Sequence, residues 1–276
     1  MIRRPEQREF FLFTQATHAR VTSELVRLVG NERIASPANR DLLEQAARHH
    51  EDGFADHDSS PKLNGQKYPI DSNELTWQSL LPAWSKSTDE SIKIDPWVAL
   101  LVSVHGLQLS NDISRAPDGP RRYEMAEMRR MFEANKFQQR QIEIQEKLRA
   151  SLGMKVDEVR RMGIAHDLNA PREMDLAIDY RLLGAMNVVA TALLAGESVA
   201  GVAPHVHEKS GALVQLILRM HERRLMISPW PFANDRVSIN ANFKRYPALP
   251  TRSVPEFQYQ YGQLPEETIE LILAPK

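Results

Sequence analysis

The sequence predicts a mainly α-helical protein. A helical body over residues 1–209 is followed by a small antiparallel β-sheet over residues 210–276 that packs on it, so the chain is α+β overall. Apolar residues recur at helical spacing through most of the first part. After residue 210, short β-rich runs are separated by Pro, Asn, Asp and Gly, and SINANF alternates with period two. The 276 residues, 42% of them hydrophobic, suffice for a sizeable core.

Local patterns predict the N-terminal elements. The segment REFFLFTQ, residues 8–15, is rich in aromatic residues and predicts a short strand. THARVTSELVRLVG, residues 17–30, predicts a helix, because its apolar residues lie on one stripe and Gly30 can end it. A second helix is expected over residues 36–54, with Ser36 as a suitable N-cap.

The middle of the chain predicts a loop followed by helices of different character. Asp, Ser, Pro, Asn and Gly in residues 55–75 favour a loop. The run DPWVALLVSVHGLQLSND is nearly all apolar and predicts a buried helix that Asp95 caps. The other predicted helices are residues 75–87, interrupted by Pro82, the amphipathic residues 121–150, the short residues 156–163 and the long, largely buried residues 171–196.

The predicted C-terminal sheet contains five runs, residues 212–220, 224–232, 236–243, 256–262 and 268–275. The first run, ALVQLILRM, could instead be a helix. In EFQYQYG, alternation favours a strand with Tyr259 and Tyr261 on one face. With Trp230 and Phe232 they could form a partner surface or a homodimer contact, or simply the packing face of the sheet.

Composition excludes several classes of protein. The net charge of −1 gives no electrostatic reason to expect nucleic acid or an anionic membrane as a partner. No window approaches the roughly 18 consecutive apolar residues of a membrane span, so we expect a cytoplasmic protein. The chain has no cysteine, which excludes disulfides, thiolate nucleophiles and Cys-ligated zinc. Any metal must therefore be bound by His, Asp, Glu, Asn or water.

Histidines on three predicted helices are the candidate chemistry. His18 lies on the first helix, His49 and His50 end the second, and His105 interrupts the apolar helix. His105 should be buried, where its two ring nitrogens need either a metal or ordinary partners such as a backbone carbonyl and a water. Because neighbouring residues on a helix point about 100° apart, only one of the adjacent pair should enter a site.

These residues resemble the HD superfamily of metal-dependent phosphohydrolases. In that superfamily one helix provides a His, a later helix an adjacent His-Asp pair, and a distant helix a final Asp. His18 matches the first ligand, and His50 with Glu51 matches the pair. Asn187, in YRLLGAMNVVATALL, stands at the final position. Glu51 and Asn187 each replace an Asp of the superfamily pattern, and Asn187 adds no charge.

The chain also resembles, along nearly its whole length, a bacterial family catalogued as a domain of unknown function, DUF3891. The segments that carry this resemblance are FTQATHARVTSELV, AARHHEDGF, ALLVSVHGLQL, YRLLGAMN, ISPWPF and RVSINANFKRYP. The two resemblances together imply an HD-like helical bundle with a C-terminal β appendage. The DUF3891 resemblance implies no known reaction.

A metal-dependent hydrolase of the HD type is the function that these features favour. We expect one or two divalent ions, Fe, Mn or Zn, bound by His18, His50, Glu51, His105 and Asn187. The other candidate catalytic residues are Asp52, as a second carboxylate, and Arg20, to hold a phosphate; Arg48, Arg115 and Arg181 could also hold one. The substrate would be a small molecule, such as a phosphoester or a nucleotide-like compound.

Two alternatives remain open. An HD-fold di-iron oxygenase would use the extra histidines to fill six-coordinate sites. Alternatively, the fold has lost catalysis and binds a ligand or a partner, which the amide at Asn187 favours.

Overall fold

The computed structural model describes residues 1–114, 125–154, 172–196 and 200–276. Within these residues the protein is α/β, with a curled seven-stranded mixed sheet against which helices pack. The predicted mainly α, HD-like helical bundle with a small C-terminal antiparallel β-sheet is therefore wrong. The sheet is large because strands from the N-terminus and from the region before residue 210 join the C-terminal strands.

The strand order is β1-β2-β6-β7-β5-β4-β3. Its strands are β1 (Ile2–Glu6), β2 (Glu9–Phe13), β3 (Ala200–His207), β4 (Leu213–His221), β5 (Arg224–Ser228), β6 (Val237–Pro247) and β7 (Glu267–Pro275). β2 pairs antiparallel with β6, with Phe11 opposite Arg245, and this pairing fuses the N-terminal hairpin to the C-terminal strands. β5 and β7 run parallel, so the sheet is mixed rather than antiparallel.

Eight α-helices are described: α1 (Gln15–Leu28), α2 (Arg40–His49), α3 (Ala55–Ser59), α4 (Trp77–Ile92), α5 (Pro96–Ser114), α6 (Met125–Ser151), α7 (Glu173–Ala195) and α8 (Val254–Gln263). A 3-10 turn, Asp52–Phe54, ends the segment predicted as the second helix. A second 3-10 turn, Ser72–Glu74, lies with α3 in the segment predicted as a loop. Thr14 caps α1 by accepting the Thr17 N–H. α4 continues through Pro82 and is not interrupted there.

The segment EFQYQYG forms part of α8, and its predicted strand is wrong. Phe257 and Tyr261 are both buried, and they lie four residues apart on one helical face, whereas Tyr259 is 72% exposed. Ser253 caps this helix and Pro255 lies in its first turn. The helical spacing of the two buried aromatic rings therefore overrides the period-two alternation. The run ALVQLILRM is largely strand β4, as the strand interpretation predicted.

α7 forms the centre of the core. It contacts β1 and β3 of the sheet on one side and helices α1, α2 and α5 on the other. Among the described residues, α7 is the one helix whose length and composition would allow it to cross a membrane. However, 67% of its apolar window is buried inside the fold. That burial is consistent with the core helix of a soluble protein. Most of the predicted loop 114–122 and the predicted helix 156–163 lie outside the described residues.

Candidate metal centre

Four predicted ligands meet where α1, α2 and α7 approach one another. His18 lies on α1, His50 ends α2, Glu51 precedes the first 3-10 turn, and Asn187 lies on α7. Donor atoms of His18, His50 and Glu51 all lie within 4.8 Å of one another. His18 and His50 are 3% and 2% exposed, so bulk water does not solvate this group of donors.

The ring of His50 is oriented by the backbone of its own helix. Its Nδ1–H donates to the carbonyl oxygen of Ala47 at 2.7 Å. Burial lowers the pKa of His50, so the imidazole is neutral and carries one ring proton. Nε2 then presents a lone pair toward Glu51, whose Oε1 lies 3.5 Å away. A histidine that binds a metal through one nitrogen commonly donates from the other in this way.

His18 is oriented by α7. Its Nε2 lies 3.3 Å from the carbonyl oxygen of Asn187 and 3.2 Å from the hydroxyl of Thr191. Because the Thr191 hydroxyl itself donates to the Asn187 carbonyl, both oxygens can accept from His18 Nε2–H. Nδ1 is buried, has no hydrogen-bond partner within the described part of the chain, and lies 3.8 Å from Oε1 of Glu51. Burial, with a smaller contribution from His50, lowers the pKa of His18 to about 3.

Glu51 is a buried carboxyl group whose negative charge is offset in part by the α-ammonium group of Met1. Its Oε2 has no hydrogen-bond partner among the described residues. Burial raises the pKa of Glu51 to about 8. A buried carboxylate is strongly disfavoured unless a cation or hydrogen-bond donors compensate its charge. Here the nearest groups are two neutral imidazoles that present lone pairs.

Asn187 adds a fourth donor. Its Oδ1 lies 2.9 Å from Nε2 of His50. With the His50 proton on Nδ1, this contact sets two acceptor atoms against each other. A cation that contacts both atoms converts the repulsion into attraction.

The distances fit a small divalent cation. Ligand atoms at about 2.1 Å from such an ion lie about 3.4 Å apart in a tetrahedron and about 3.0 Å apart at neighbouring corners of an octahedron. The observed separations are 3.5 Å and 3.8 Å from Glu51 Oε1 to the two histidines, and 2.9 Å from His50 to Asn187. Nitrogen and carboxylate donors suit Zn²⁺, Mn²⁺ or Fe²⁺.

His105 lies beside this group but does not converge with it. Its ring meets the ring of His50 edge-on, with centroids 5.4 Å apart. Its Nε2 is buried and without a hydrogen-bond partner among the described residues. Burial, with smaller contributions from His50 and His18, lowers the pKa of His105 to about 3. The structure therefore places His105 as a neutral neighbour of the cluster.

Asp52 and Arg20, the two predicted catalytic residues, lie outside the cluster. The Asp52 carboxylate pairs with Nδ1 of His49 at 2.8 Å, and both side chains are about one-third exposed. The Arg20 guanidinium pairs with Glu24 and donates to the carbonyl oxygen of Asn240. Of the adjacent histidines, His50 enters the site and His49 lies at the surface, as their angular separation predicts.

Gly53 holds the turn after Glu51 tightly against α4. A Cβ atom at this position would lie 1.8 Å from the carbonyl oxygen of Ala83. The Gly53 N–H also donates to the hydroxyl of Ser87 at 2.9 Å. The sequence analysis missed Ser87 and Thr191. Thr191 lies one helical turn after Asn187, and that spacing could have identified it.

The cluster opens into a cleft of about 360 Å³. The cleft is lined by His18, Glu51, Asn187 and Thr191 on the metal side, and by mainly apolar side chains opposite them, including Leu80 and Trp84. Arg20, Arg48 and Arg181 do not line it, and Arg115 lies outside the described residues. A small molecule in the cleft would therefore lie against the residues of the cluster.

Comparison with known families gives one match. A family model described as "Protein of unknown function (DUF3891)" matches residues 1–247. No curated protein matches the chain significantly. No solved structure does so either.

Proposed function

Since the chain belongs to the DUF3891 family, whose description assigns no reaction, we propose from the geometry of the site that it is a metal-dependent hydrolase of small molecules. His18, His50, Glu51 and Asn187 would hold one divalent cation, with Zn²⁺, Mn²⁺ and Fe²⁺ as candidates. A relationship to the HD superfamily, suggested by the order of these residues, is part of this proposal, as is a cytoplasmic location.

One observation carries the proposal. Two buried histidines each direct one nitrogen to a backbone carbonyl, and each directs the other toward the same unpaired carboxylate of Glu51. Buried polar atoms normally have partners, yet His18 Nδ1 and Glu51 Oε2 have none among the described residues. A cation supplies the missing partner for both of these atoms at once.

The chain's own groups have separate tasks. The carbonyls of Ala47 and Asn187 fix the ring orientations of His50 and His18, so that the lone pairs are aimed before binding. When bound, a divalent cation supplies a Lewis acid that lowers the pKa of a coordinated water and polarises the bond to be hydrolysed. The apolar wall of the cleft limits access of bulk water and strengthens electrostatic interactions inside it.

The adjacent histidines provide a matched test. His50→Ala removes a buried donor, whereas His49→Ala removes a surface histidine of the same helix turn. Metal content of the purified proteins is measured by plasma mass spectrometry after loading with Zn²⁺, Mn²⁺ or Fe²⁺. We expect near-stoichiometric metal in wild type and in His49→Ala, and a loss of at least tenfold in affinity for His50→Ala.

Turnover is then measured on chromogenic esters and phosphoesters with the loaded wild type. Phosphoesters are the substrate class that the HD resemblance implies. Failure to load any of the three metals, or equal loss of metal in both histidine variants, would overturn the proposed site. Two irons per chain with oxygen consumption would replace the hydrolase by the di-iron oxygenase.

Binding without catalysis is the second candidate. It is favoured by the position of Asp52, because the second carboxylate expected near the pair is engaged with His49 at the surface. Among the described residues that line the cleft, Glu51 is then the one residue with a carboxyl group. Stoichiometric metal together with no hydrolysis of any ester or phosphoester would select this candidate.

A further inference from the structure

The size of the cleft beside the metal centre limits what it can hold. Its volume of about 360 Å³ lies near the lower end of the range for small-molecule pockets, roughly 300–1,000 Å³. Leu80 and Trp84 on α4, with Leu109 on α5, give it an apolar wall. A molecule of one ring and a few substituents fits this space, and a macromolecule does not.

The described lining has no cationic side chain. No Arg or Lys is among the described residues that line the cleft, and Glu51 is the one acidic residue among them. Proteins that bind a phosphate group ordinarily place an Arg or Lys against it. Arg20, the residue predicted for this task, is engaged with Glu24 and a backbone carbonyl. Beyond the metal itself, recognition of a substrate by the described lining therefore depends on uncharged polar groups.

Gln15 supplies a specific polar contact in this apolar space. It lines the same cleft and is 5% exposed. Its Oε1 is buried and has no hydrogen-bond partner among the described residues. The backbone of Gln15 is fixed, because its N–H donates to Asp58 at 3.0 Å. An amide oxygen is purely an acceptor, so its missing partner is a donor.

Gln15 and His18 are separated by three residues on α1, and side chains at this spacing lie on the same helical face. The backbone positions of the two residues are therefore about 4.5 Å apart along the helix axis. We propose that the substrate is a mainly apolar small molecule that donates a hydrogen bond from N–H or O–H to Oε1 of Gln15. The inference rests on the proposed hydrolase and names its substrate class.

Binding of two small probes tests this inference without turnover. Acetanilide carries one N–H donor, and N-methylacetanilide is an analogue of similar size without a donor. Dissociation constants are measured by ligand-observed NMR titration on metal-loaded wild type, on Gln15→Met and on the control Gln45→Met. Gln45 is exposed on α2 and does not line the cleft.

We expect wild type to bind acetanilide about tenfold more tightly than N-methylacetanilide, because one hydrogen bond typically contributes about this factor to affinity. Gln15→Met should abolish this preference with unchanged metal content, and Gln45→Met should keep it. Equal binding of the two probes to wild type would overturn the inference, and so would an N–H preference that survives in Gln15→Met.

The wild-type preference between the two probes remains a test even if Gln15→Met does not fold. Failure of the proposed function has a different signature. Absence of metal binding or of hydrolysis would appear in the metal analysis and the turnover assays, whereas failure of the substrate inference would appear in the ratio of the two dissociation constants.

Discussion

Replacement of Gly53 by alanine should disturb both the stability of the fold and the metal centre. The added Cβ would lie 1.8 Å from the carbonyl oxygen of Ala83 and 2.7 Å from its carbonyl carbon. Both are backbone atoms of α4, so no side-chain rotation relieves the contact. An ordinary carbon–oxygen contact is about 3.3 Å, so the turn must move away from α4 by roughly 1.5 Å.

Two costs set the magnitude. Overpacking a well-packed interior costs about 1–3 kcal/mol. The same movement separates the Gly53 N–H from the Ser87 hydroxyl, and leaving a buried N–H unpaired costs about 1–3 kcal/mol. We therefore expect the free energy of unfolding to fall by about 2–6 kcal/mol. Because Glu51 lies two residues before Gly53, metal affinity should also fall by tenfold or more.

Urea denaturation and calorimetric titration with Zn²⁺ measure the two effects. Gly65→Ala and Gly262→Ala are matched controls, because a Cβ at either position meets nothing within 4 Å. Gly262 lies inside α8, where alanine should even stabilise the helix by up to about 1 kcal/mol. A Gly53→Ala protein with the stability and zinc affinity of wild type would refute the described packing of the turn against α4.

Three further predictions concern the surroundings of the site. Thr191→Val removes a hydroxyl beside His18 Nε2 and should weaken metal binding by about tenfold in calorimetric titration, whereas Thr191→Ser should not. Burial raises the pKa of Asp179 to about 6. The folded state therefore holds this proton more tightly than the unfolded chain does. The contribution of Asp179 to the free energy of unfolding should be fully present below about pH 4 and should fall by about 3 kcal/mol as the pH rises to 6. Asp179→Asn should flatten that slope in urea titrations at several pH values. Arg20→Ala should change stability by less than about 1 kcal/mol and leave metal content and turnover at wild-type levels, because its guanidinium is engaged outside the cleft.

Each of these three predictions has a contradicting result. Equal metal affinity of Thr191→Val and wild type would show that the hydroxyl does not orient His18. An unchanged pH slope in Asp179→Asn would assign the slope to other groups. Loss of turnover in Arg20→Ala with full metal content would return Arg20 to the catalytic site.

The metal donors could be selected from sequence because they occur on recognisable helices. His18 lies on the amphipathic α1, and the angle between His49 and His50 indicates that one of them faces inward. The resemblance to the HD superfamily then selected Asn187, 137 residues after His50. His105 was placed in the core correctly, but its distance from the donors depends on how α5 packs, which no local pattern specifies.

The sheet was underestimated because its pairings join distant segments. β1 contains Pro5 and charged residues and resembles a strand only when β2 pairs with it. The parallel pairing of β5 with β7 has no signature in either strand. In α8, the cap at Ser253 and the proline at 255 were available as helix signals, but the period-two pattern of QYQY was given more weight.

The attachment of α1 to the distant half of the chain has a consequence for protein synthesis. The backbone after α1 is held by Pro231, which accepts the Gly30 N–H, and β2 just before α1 pairs with β6. These contacts span more than two hundred residues, so the helix that carries His18 cannot reach its final position until β6 has left the ribosome. Contacts of such long sequence separation form slowly. We therefore expect the nascent chain to acquire its metal only near the end of translation, and truncation before β6 to release a chain that cannot bind the ion.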